Sequence, residues 1–203
     1  MLANNRYRDG RTRPGARQSG TTGVEFAIVA MIFFMLVFGI IEIARLMYAI
    51  NTVQEVTRRA ARAAANTDFR DPVQLSRVRQ FAVFNDSPGP LLLATPITDE
   101  FVRIDYLSVQ RGAEGSQTFV EIPAGSLPNS PAENRRICLR DPNDAGCIRL
   151  VRARICVPGE DGCTATPFQL FVPLVNPILR IHTGSTIVVA ESLGLAGAGA
   201  GGG

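Results

Sequence analysis

Lysine and tryptophan are absent from the 203 residues, and histidine occurs once, at position 182. A single imidazole excludes a histidine-rich metal centre and leaves a Ser-His-Asp triad only one candidate base. His182, flanked by Ile181 and Thr183, reads as an ordinary surface or half-buried residue. No Walker, Rossmann or nucleophile-elbow pattern occurs, so neither an enzyme nor a cofactor is expected. At 46% hydrophobic and 19% charged, the chain is not disordered throughout.

Charge of one sign is concentrated rather than scarce. Arg6, Arg8, Arg11, Arg13 and Arg17 face only Asp9 in the first twenty positions, whereas from Thr21 onward 16 arginines meet 17 acids. The near-neutral body carries no electrostatic footprint for nucleic acid. The basic leader instead abuts an apolar run, Phe26 to Ile41, that continues to Ile43 if Glu42 is allowed at its edge. Eighteen helical residues cover roughly 27 Å, close to a bilayer core of about 30 Å. The run is apolar all round, which predicts one transmembrane helix in contact with the lipid bilayer. The arginine bias puts residue 1 in the cytoplasm and the C-terminal part outside. Glu42-Ile43-Ala44-Arg45 follows where a secretory cleavage site would need small residues, so the segment reads as an anchor.

Beyond the run, Leu46, Ile50, Val53, Thr57, Ala60 and Ala64 continue at spacings of four and three, with Glu55, Arg58, Arg59 and Arg62 opposite. That pattern predicts one continuous helix from about Glu25 to about Ala65. Its small distal alanines suit close packing, either by the protein's own globular part or by another subunit. Asp71-Pro72 is a start signal for a second helix carrying Val73, Leu75, Val78, Phe81, Ala82 and Phe84 on one side, ended by Ser87-Pro88-Gly89-Pro90. The segments 101–109, 118–122, 148–157 and 186–191 then read as strands.

The predicted fold is α+β: a long N-terminal transmembrane helix continuing out of the membrane and packed on a small, disulfide-stapled antiparallel β domain. Its divisions are a basic leader (1–20), the transmembrane helix (21–45), a helical region (46–88), a β-rich domain (89–193) and a flexible Gly/Ala tail (194–203).

Cys138, Cys147, Cys156 and Cys163 all fall in the part placed outside, consistent with an oxidising compartment. Their intervals do not fit structural zinc, so disulfides are favoured over metal. Three pairings are open; Cys138 with Cys147 and Cys156 with Cys163 are favoured because each pair brackets a turn sequence, as in a hairpin tip. Asp141, Asn143 and Gly146 mimic the opening of a calcium loop, but Ala145 and Arg152 stand where ligands are needed.

The most informative stretch is Gly20-Thr21-Thr22-Gly23-Val24-Glu25-Phe26. A carboxylate at the head of an apolar helix is costly unless partnered, and a cut after Gly20 would supply an ammonium at Thr21. In an uncut anchor, Glu25 would simply cap the helix or reach the interface. Glu42 and Arg45, three apart at the outer boundary, are placed to pair locally, although a contact with another protein is open to them. A local pair should survive exchange of the two residues.

G-x4-E-F before an apolar helix resembles the processing pattern of type IV prepilins and pseudopilins. The stretch from Gly23 to Ala65, with Val24-Glu25-Phe26, Gly39 to Arg45 and an Ala/Arg-rich end, is similar to the TadE-like (TadE/TadF) minor pseudopilins of tight-adherence, or Flp, pili. The resemblance implies cutting by a prepilin peptidase on the cytoplasmic side after Gly20, with Glu25 in the role of the residue-five glutamate and Phe26 the aromatic after it. It implies residence in the bacterial inner membrane, other Tad pseudopilins or pilus assembly components as partners, and a role in pilus assembly. Met31 stands near where family members usually carry a proline, so a straighter helix is expected here. The competing reading is an uncleaved, single-pass extracytoplasmic binding module.

Overall fold

The structure is a computed structural model that describes residues 21–112, 115–159, 162–170, 180–181 and 184–195. The leader with Gly20, the Glu160-Asp161 part of the second turn, His182 and the tail beyond Leu195 lie outside the described residues.

Helix α1 runs unbroken from Thr21 to Ala65. By contacts the chain divides at Ile40/Ile41. In the first unit, the apolar stretch of α1 contains an 18-residue window with no buried share, and Phe26, Val29 and Met31 are all well exposed. In the second, the helix becomes the spine of a core: Ala49, Val53, Val56, Thr57, Ala60, Ala61, Ala64 and Ala65 are buried.

This buried face corrects the predicted stripe. Val53, Thr57, Ala60 and Ala64 lie in it, but Ile50 is exposed, while Ala49, Val56 and Ala61 join it. A helix laid on a broad sheet buries more than the narrow seam of a helix pair, so two adjacent rows of small residues turn inward. The opposite side is polar, and Glu55 pairs with Arg59 at 3.3 Å.

Strands β1 (Val102–Arg111), β2 (Gln117–Glu121), β3 (Leu150–Ile155) and β6 (Ser185–Val189) form the main antiparallel sheet, in the order β2-β1-β3-β6. A small two-stranded sheet pairs β4 (Thr166–Pro167) with β5 (Arg180–Ile181). The register sets Val102, Ile104 and Tyr106 opposite Ile155, Ala153 and Val151, so these share one face, which builds the core with α1. Thr57 Oγ1 meets Thr186 Oγ1 at 2.9 Å across that packing. The end of α1 is sealed by the domain itself: Thr67 Oγ1 donates to the Ala63 carbonyl, and the amides of Glu191 and Leu193 donate to that of Ala65.

Helix α2 (Pro72–Ala82) starts as predicted, with Asp71 accepting from the amides of Val73 and Gln74. Those backbone N–H groups, led by that of Gln74, hold the Asp71 carboxyl below its ordinary value. It ends earlier than expected, since Phe84 has φ +64°, and it buries only Val78 and Ala82. Phe81 and Phe84 do not enter the core; the Arg59 guanidinium lies over them, 5.5 and 4.1 Å from the ring centroids.

A third helix, α3 (Pro131–Arg140), had no counterpart in the sequence reading. Ser130 caps it by accepting the Glu133 amide, and Glu133 accepts the Asn129 amide in return. Both expected disulfides are present, Cys138–Cys147 and Cys156–Cys163. The first is not a hairpin staple, however. Cys138 lies on α3 and Cys147 on the approach to β3, so the bond fastens a helix to the sheet.

Candidate functional site

The residues singled out by sequence fall at two levels of α1. Thr21 opens the described helix, and Glu25 and Phe26 follow as exposed side chains. Thr21 and Glu25 are i and i+4, so helix geometry sets them on one face about one turn apart. From Val24 to Ile43 the large apolar side chains other than the half-buried Val37 are exposed, a surface too large and continuous for water. Among the described residues this is the one helix long and apolar enough to cross a membrane.

The second level is the pair at the end of the apolar run. Arg45 Nη1 lies 2.8 Å from Glu42 Oε2, and the two side chains are 6% and 14% exposed. Arg45 is not merely a local partner. Its guanidinium also donates to the carbonyls of Gln169 (3.3 Å) and Leu93 (3.5 Å) and packs on the Phe168 ring, 5.1 Å from its centroid. One arginine thus ties α1 to two loops more than forty residues away in sequence. Exchanging Glu42 and Arg45 would therefore break these ties even if the pair survived, so the exchange does not isolate a local interaction.

A third constellation was missed in the sequence. On the sheet face turned away from α1, Asp105 receives Arg103 (3.0 Å), Arg152 (3.1 Å) and Arg154 (2.6 Å), while Glu121 meets the same three arginines. Asp105 is 4% exposed. Its hydrogen bond, together with the charges of Asp105 and Glu121, raises the Arg103 pKa. The signal was present as the period-two spacing of Arg103/Asp105 and Arg152/Arg154, which antiparallel pairing brings to one face. Its arginines are matched by carboxylates, and it reads as a staple of the sheet. No group of three or more His, Cys, Asp or Glu able to hold a metal occurs among the described residues.

The fold and its exposed helix define a class: an α+β protein carrying, among the described residues, one helix suited to membrane anchoring. Residues 20–62 match the family model of TadE-like proteins, so this helical segment is similar to theirs. The match covers nearly all of α1 and leaves the sheet domain outside it. No curated protein and no solved structure matches the chain.

Proposed function

We propose that the protein is a minor pseudopilin acting in assembly of a Tad/Flp-type adhesive pilus. In this reading a prepilin peptidase cuts after Gly20 at the cytoplasmic face, α1 holds the protein in the bacterial cytoplasmic membrane, and residues beyond about 45 stand outside. The observation that carries it is the TadE-like match, which begins at Gly20 and runs through an apolar helix exposed on all sides. The arginine-rich leader supports the orientation, and the two disulfides suit an oxidising exterior.

Glu25 then has a physical role. The cut places an ammonium on Thr21, one turn from the carboxylate, either in the same chain or across a stagger in a neighbour. An ion pair lowers the cost of a charge at the bilayer edge and ties leaving the membrane to correct register. Its partners are the peptidase and other pseudopilins or assembly components, and its work is packing without turnover.

Two variants test this. Gly20→Leu should leave a full-length precursor in the membrane; normal processing would refute the cut site and favour an uncleaved, anchored binding module. Glu25→Ala should still be processed but should impair piliation, and unaltered piliation would remove the pairing role.

A further inference from the structure

The segment between α2 and β1 forms a compact knuckle. Its Pro90–Thr98 bridge and the hydrogen bonds Leu91 N to Ile97 O, Ala94 N to Leu91 O and Ile97 N to Ala94 O close it, with Leu91, Ala94 and Ile97 buried. The tip does the opposite. Leu92 is 72% and Leu93 48% exposed, and Leu93 sits at φ +58°, a left-handed conformation unfavourable for a branched side chain. A loop this well braced, holding two adjacent leucines outward through a strained residue, calls for a surface to receive them.

The position of the tip says which surface. Arg45 binds the Leu93 carbonyl, so the tip is held at the level of residue 45, where Ile41, Ile43 and Met47 on α1 are still exposed apolar side chains. If residues 26–43 fill a bilayer core of about 30 Å, residue 45 lies in the interfacial layer. Tyr48, an aromatic of the kind that layer favours, lines a groove of about 740 Å³ together with Val83, Phe84, Leu92 and Leu93. The exposed leucines of the knuckle therefore stand beside α1 at the level of Arg45 and Tyr48.

We propose that the Leu92–Leu93 knuckle is a second membrane contact, inserted in the interface of the leaflet from which α1 emerges. Two attachments rather than one then set how the domain stands on the bilayer. The proposal rests on α1 being a membrane span but not on cleavage after Gly20.

Because the chain has no tryptophan, single indoles report on it without background. The full-length protein carrying Leu92→Trp, Phe33→Trp in the apolar run, or Phe119→Trp on the exposed β2 edge would be reconstituted in phosphatidylcholine/phosphatidylglycerol vesicles with brominated acyl chains. The expected result is blue-shifted emission and strong loss of intensity for Leu92→Trp and Phe33→Trp, with neither for Phe119→Trp. Quenching at Phe33→Trp while Leu92→Trp behaves like Phe119→Trp would overturn the second contact and leave the span. No quenching at Phe33→Trp would overturn both. A blue shift at Leu92→Trp without bromine quenching would mean that a protein surface, such as a second copy, covers the knuckle, and would overturn the lipid assignment.

Discussion

Replacing Asp105 with asparagine should destabilise the sheet domain more than any other change of one charged side chain on that face. The carboxylate is buried, and three guanidinium groups lie within 3.1 Å of it. At an effective dielectric of about 20, a pair at roughly 4 Å contributes on the order of 4 kcal/mol before desolvation is subtracted. Breaking a fully buried pair costs about 3–5 kcal/mol and an exposed one about 0–1. Here the acid is buried, but its arginines are 19–36% exposed, which admits solvent screening. The balance is about 2–3 kcal/mol, since the uncharged amide would leave Glu121 alone to face three arginines. For a domain of this size that lowers Tm by roughly 5–10 °C. Glu121→Gln, at a side chain 39% exposed, should cost less than about 1 kcal/mol. Thermal unfolding of the detergent-solubilised protein, followed by circular dichroism, compares the two. Equal shifts, or an unchanged Tm for Asp105→Asn, would refute the view that Asp105 organises the cluster.

Other consequences follow from single positions. Gly194 has φ +86°, and a Cβ there would lie 2.7 Å from the Asp68 amide nitrogen, so Gly194→Ala should cost more than about 2 kcal/mol by the same unfolding assay. The Tyr106 hydroxyl is buried without a hydrogen-bond partner among the described residues, and burial pushes its pKa well above the ordinary phenol value. The folded state therefore keeps a proton that the unfolded chain releases above about pH 10, and stability falls as pH rises through that value. Tyr106→Phe should be neutral or stabilising by up to about 1 kcal/mol near neutral pH and should flatten the alkaline decline, read from Tm against pH.

Much of this architecture was legible because local chemistry and tertiary demand agree. The spacing of Val53, Thr57, Ala60 and Ala64 announced a helix continuing past the apolar run, and Asp71-Pro72 announced α2. Branched residues marked four strands close to their observed bounds. Helix α3 escaped because its apolar content, Ile137, Cys138 and Leu139, is contiguous rather than spaced by turns, so the turn sequence after Cys138 dominated; Ser130, Pro131 and Glu133 were the available signal. The role of Arg45 was half visible. Glu42 is a neighbour in sequence, whereas the carbonyls of residues 93 and 169 reach it only through the fold. Phe81 and Phe84 looked like core and proved to be exposed, with the Arg59 guanidinium packed over both rings.

The central claim is that the functional chain starts at Thr21. Intact-mass and N-terminal analysis of the protein from its native membrane, with and without the prepilin peptidase, tests it most directly. The account predicts a new terminus at Thr21 only where the peptidase is present. An intact leader in both strains would contradict it, leaving Glu25 without its ammonium and the sheet domain as the place to look for function.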